Sequence, residues 1–119
     1  MLQDCNGAVS SGHGQVFIIT GRVEINGLHV KKDDLNGFIR GIGATSKPDW
    51  ARNVTILLTG IQSSRELTDD RRRFSRKIVS AIEYMHDFDS HVHFIDGNGL
   101  QNLMLGIPAD CKTSIWRKY

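Results

Sequence analysis

Two rhythms of apolar residues run along this chain. Residues 15–20 (QVFIIT) and 54–58 (VTILL) are short, unbroken, β-rich blocks, the pattern of strands buried on both faces. Residues 91–95 (HVHFI) predict a third strand, and 44–46 a very short one. Between the blocks the spacing turns helical. Leu35, Phe38, Ile39 and Ile42 fall at i, i+3, i+4 and i+7. Lys31-Lys32-Asp33-Asp34 opens that helix with its acids at the positive end of the dipole, and Gly43 stops it. Ser63 and Glu66 have capping-box spacing, which predicts a long second helix to about Met85 with Phe74, Ile78, Ala81, Ile82 and Met85 on its apolar face. Asp96 caps a last helix carrying Leu100, Leu103, Met104 and Ile107, ended by Pro108. Strands alternating with helices predict an α/β fold with a parallel sheet covered on both faces.

The remaining segments read as connections. Residues 1–14 lack periodicity and are expected to be a flexible leader, with the domain at 15–107 and a basic tail at 108–119. Asn26-Gly27 centres a loop, and Gly97-Asn98-Gly99 reads as a plain turn. Hydrophobic residues at 39% and charged residues at 24% are ordinary for a globular domain. A chain of this length buries roughly two-thirds of its unfolded surface and needs no staples. No apolar run approaches the roughly twenty residues of a membrane span, so no membrane partner is expected. Cys5 and Cys111 near the two ends read as lone thiols in a reducing compartment, with one tail-to-tail disulfide as the alternative. The expected location is intracellular: nuclear in a eukaryote, cytoplasmic in a bacterium.

Enzymatic chemistry finds little support. Gly41-Ile42-Gly43-Ala44-Thr45-Ser46-Lys47 superficially resembles a P-loop, but Ser46 stands where glycine is needed, and the stretch follows a helix instead of a strand. There is no Gly-x-Ser-x-Gly elbow, and both cysteines fall in expected tails. His91 and His93 share one side of a strand with Asp87 and Asp89 just before them, but no second cluster completes a shell, so neither metal nor cofactor is expected. Net charge is only +2, yet Arg71, Arg72, Arg73, Arg76 and Lys77 lie close together. On one long helix Arg73 and Lys77 share an edge and Arg72 and Arg76 the outer face. Arginine forks suit phosphate oxygens, whereas Asp69 and Asp70 would partly neutralise such a face. Thr20-Gly21, ending the first strand, is the other candidate. A hydroxyl followed by a residue without Cβ lets a phosphate oxygen reach both Oγ and a backbone N–H.

The order of elements, opened by Phe17-Ile18-Ile19-Thr20-Gly21, resembles a BRCT domain, most closely those of NAD-dependent bacterial DNA ligases and of the replication factor C large subunit. An acidic-led helix ending at Gly43-Ala44, a strand at 53–58 and the closing 94–103 (FIDGNGLQNL) carry the likeness, which spans about residues 15–107. Ala44 departs from the family's second glycine, the loop after Gly60 is longer than usual, and Leu100 replaces a tryptophan common in protein-binding members. The resemblance implies four parallel strands in the order 2-1-3-4, with the first and third helices on one face and the second on the other. It implies a phosphate pocket of Thr20, Gly21 and Lys77, and a DNA-phosphate contact at Lys32. The expected protein is then a non-catalytic module binding DNA, at 5′-phosphorylated duplex ends or along the backbone through Lys32, Arg72, Arg73 and Arg76, in replication or repair. The alternative is a protein-interaction module for a phosphopeptide or a second BRCT domain. A single domain lacks the second repeat that usually reads beyond a phosphoserine.

Overall fold

Apolar blocks far apart in sequence lie side by side in the computed structural model, which describes residues 8–60, 67–69, 74–88 and 91–111. The chain runs β1 (Ala8–Val9), β2 (Val16–Thr20), β3 (Glu24–Ile25), β4 (Leu28–His29), α1 (Lys32–Gly41), β5 (Thr45–Lys47), β6 (Ile56–Thr59), β7 (Leu67–Asp69), β8 (Phe74–Ser75), α2 (Arg76–Phe88), β9 (His93–Ile95), α3 (Gly97–Met104) and β10 (Ala109–Asp110).

The core is a four-stranded, fully parallel sheet in the order β5-β2-β6-β9. Among the sheet's own strands that is second, first, third, fourth along the chain. The numbering over all described strands differs because three short antiparallel ladders intervene: β1 with β10, β3 with β4, and β7 with β8. The sequence reading contained none of the three. Phe17 sits opposite Ile56 and Ile19 opposite Leu58, so the two apolar blocks are parallel neighbours, as expected.

Strand alternation divides the core in two. Phe17, Ile19, Ile56, Leu58 and Ile95 pack with Leu35 and Ile39 of α1 and Leu100 and Leu103 of α3. Ile18, Leu57 and Phe94 pack with Ile78, Ala81 and Met85 of α2. Helices α1 and α3 thus cover one face and α2 the other.

Several expectations need correction. Ser63 and Glu66, the expected start of the second helix, lie outside the described residues. That helix opens only at Arg76, and Leu67–Asp69 pairs with Phe74–Ser75 in an antiparallel ladder. A helix cannot run through 67–69 and 74–75 where the backbone is committed to ladder hydrogen bonds, and Phe74 belongs to β8 instead of a helical face. Strand structure also starts before residue 15, inside the expected leader. Val9 is buried at 3% exposure, and β1 pairs with β10 at Ala8↔Asp110 and Val9↔Ala109. Two-residue strands give no periodic signal, so neither 8–14 nor 108–111 stood out in the sequence. Asn26-Gly27 is a two-residue hairpin turn with φ of 54° and 81°, the left-handed pair such a turn requires. Gly97-Asn98-Gly99 is the first turn of α3, capped by Asp96, whose carboxylate accepts from the Gly99 N–H at 2.8 Å. Helix α3 ends at Met104, leaving Ile107 outside it and half exposed.

The start of α3 also locks the β3–β4 hairpin. Asn26 N–H donates to Asn98 Oδ1 at 2.9 Å. A Cβ on Gly97 would come to 2.1 Å from the Glu24 carbonyl oxygen, a backbone atom that cannot swing aside. Gly97→Ala is therefore expected to destabilise the domain by about 1–3 kcal/mol, the usual range for overpacking. Urea denaturation checks this, with Gly37→Ala as control, because a Cβ on Gly37 meets nothing within 4 Å.

Candidate phosphate site

The C-terminal ends of β2 and β5 form a cleft of about 220 Å³, lined by Ile19, Lys32, Asn36, Ser46, Lys47, Pro48 and Lys77. Its three cations come from three elements. Lys32 is the first residue of α1, Lys47 the last of β5, and Lys77 the second of α2. Among the described residues that line it, none is acidic.

The position of Lys77 follows from the length of β5. Along β2, alternate carbonyls face the two neighbouring strands. Thr45 N–H donates to Gln15 O on the β5 side, and Gly60 N–H to Thr20 O on the β6 side. Ile19 O therefore faces β5, which has already ended at Lys47 before Pro48. Lys77 Nζ donates to that carbonyl at 2.8 Å, satisfying an acceptor the sheet has left over. This anchors the ammonium at the rim of the cleft, one residue before Thr20. On the opposite wall Ser46 Oγ donates to Asn36 Oδ1 at 2.6 Å, tying β5 to α1.

The structure treats the residues named from sequence unequally. Lys32 and Lys77 meet at the cleft. Thr20 is buried at 4% exposure, and neither it nor Gly21 lines the cleft. Gly21 has φ of 83°, which explains a glycine there with or without a ligand. Arg72 and Arg73 lie outside the described residues, and Arg76 opens α2. The helical-wheel argument that grouped Arg72 with Arg76 and Arg73 with Lys77 fails, because α2 begins only at Arg76.

Lys47 was missed as a site residue. In sequence it ends a failed P-loop and falls in a loop with Pro48 and Asp49, just past a strand that stops at Ser46. The available signal was its place after a strand of a parallel sheet, where ligands collect.

A second crevice, at the ends of β6 and β9, holds Arg22, Glu24, Thr59, Gly60, Asp96, Gly97 and Asn98. Two carboxylates share it with one guanidinium, so it is poorly suited to an anion. No family model matches this chain, and a search of curated proteins finds no match.

Proposed function

We propose that this chain is a non-catalytic, BRCT-like binding module that holds a phosphate group in the cleft between Lys32, Lys47 and Lys77, and that its ligand is DNA, at a 5′-phosphorylated duplex end or along the backbone. The observation that carries this reading is the convergence of three ammonium groups from three elements on one cleft with no acidic side chain among its described lining. Such a cleft concentrates anions. Its place at the C-terminal ends of parallel strands supports a ligand-binding role. Thr20 and Gly21 adjoin the cleft along the chain. Arg72, Arg73 and Arg76 precede Lys77 in sequence, and on this reading they are the residues that meet the DNA backbone.

The test is a fluorescence titration of matched duplexes with and without a 5′-phosphate, repeated across salt concentrations. The phosphorylated duplex should bind more tightly. Affinity should fall by roughly 0.9 log unit per log unit of salt for each phosphate neutralised, a slope of about 2–3 for three lysines. Tighter binding of a phosphopeptide pool than of either duplex, with a shallow salt dependence, would instead make this a protein-interaction module.

A further inference from the structure

At the other end of the sheet, three soft or borderline ligands converge that the sequence keeps apart. His91 precedes β9 and His93 begins it, so strand alternation sends both rings to the α3 side along with Ile95. Cys111 directly follows β10, which ladder pairing with β1 holds in place. Cys111 Sγ lies 3.5 Å from His91 Nε2. The two imidazoles meet edge to face with centroids 4.7 Å apart. One ligand atom from each of the three residues lies within 4.8 Å of the other two, and all three residues are half-buried. Tetrahedral zinc with bonds of about 2.0 Å to nitrogen and 2.3 Å to sulfur sets neighbouring ligand atoms roughly 3.3–3.6 Å apart. The Cys–His separation already has that value, and small side-chain rotations bring in the third ligand.

A thiol–imidazole hydrogen bond would account for the Cys111–His91 contact alone. The edge-to-face contact of His93 with His91 adds a third donor beside that pair, giving a three-ligand cluster.

We propose that His91, His93 and Cys111 form a site for one zinc-class divalent cation. The two neutral imidazoles and the thiolate are the ligands, and the partly exposed side leaves a fourth position for water. Binding releases the thiol proton to solvent, so affinity rises with pH until the thiol is fully ionised. The thiolate favours zinc over magnesium or calcium. The site is separate from the lysine cleft and does not depend on what that cleft binds.

Reduced, metal-free full chain is titrated with Co²⁺ as a spectroscopic probe and then with Zn²⁺. The expected result is the visible absorption of tetrahedral cobalt with a thiolate charge-transfer band, saturating at one ion per chain and abolished by Zn²⁺. The chain has two cysteines, so Cys5→Ser should keep the charge-transfer band and Cys111→Ser should lose it. His93→Ala should weaken Zn²⁺ binding by more than the roughly 10–100-fold that loss of an outer-shell partner costs, and His86→Ala should leave it unchanged. A parallel measurement on the unaltered chain does not depend on any variant folding: Zn²⁺ should protect Cys111 from alkylation, mapped by peptide mass. Absence of a stoichiometric thiolate band, its persistence in Cys111→Ser, or equal alkylation of Cys111 with and without Zn²⁺ would each overturn the proposal.

Discussion

A Lys77→Ala variant is expected to bind a 5′-phosphorylated duplex roughly ten- to a hundredfold more weakly than the parent chain, the effect of losing one charge-assisted contact of about 1.5–3 kcal/mol. Lys77 also has a structural duty, because its ammonium satisfies the Ile19 carbonyl of β2, which β5 is too short to reach. Truncation leaves that acceptor to water, so some loss of stability accompanies the loss of binding. Lys32→Ala and Lys47→Ala separate the two roles. Both residues line the same cleft, and neither is the donor to Ile19. Each should weaken the phosphorylated duplex severalfold or more with little change in melting temperature. If only Lys77→Ala loses affinity, and does so in step with its melting temperature, Lys77 is a structural cap and the phosphate reading fails. Titration and thermal denaturation of the three variants side by side decide between these outcomes.

The largest loss of stability is expected at Phe94. It is the central residue of β9, fully buried between Leu57 and the α2 residues Ile78, Ala81 and Met85. Phe94→Ala should cost about 3–5 kcal/mol, combining lost burial with the cavity left behind. Domains of this size hold only about 5–15 kcal/mol in total. The melting temperature should fall by roughly 10–25 °C. The neighbouring His93→Ala, half-buried on the opposite side of the strand, should shift it far less in metal-free buffer. Calorimetry on both variants checks the contrast. A small shift for Phe94→Ala would mean that the α2 face of the sheet is not the tightly packed layer described above.

The elements that could be read from sequence are those long enough to repeat. The blocks at 15–20 and 54–58 gave the two central strands, and the i, i+3, i+4 spacing of Leu35, Phe38 and Ile39 gave α1 despite Gly37 and Gly41 inside it. Elements of two or three residues carry no period of their own: β9 was legible through the longer block at 91–95 and β5 in part at 44–46, but the other short pieces have no such block. The β1–β10 and β7–β8 ladders were therefore invisible, and a capping-box coincidence at Ser63 and Glu66 extended α2 over what is strand. Asn26-Gly27 did carry a hairpin signal, the strongest short-range one there is, but the segments beside it were too short to read as strands. Site residues followed the same logic. Lys32 and Lys77 were reached through the family resemblance. Lys47 and Cys111 become site residues only through contacts across the fold, with Lys32 fifteen positions from the one and His91 twenty from the other.

The pairing of β1 with β10 also bears on the order in which the domain assembles. Residues 9 and 109 meet across 100 positions of chain, whereas most of the sheet is built from neighbours in the strand–helix–strand sequence. Closing so long a loop exacts its entropy before a two-residue ladder returns much hydrogen bonding, so this ladder forms late on the folding path. For the same reason it opens early. Its amides should exchange with solvent through a local fluctuation well before those of β2 and β6, which exchange only when the whole domain unfolds. Val9 and Ala109 act as a latch over the edge of the α1–α3 layer, and anything that grips Cys111 from β9 closes that latch more firmly.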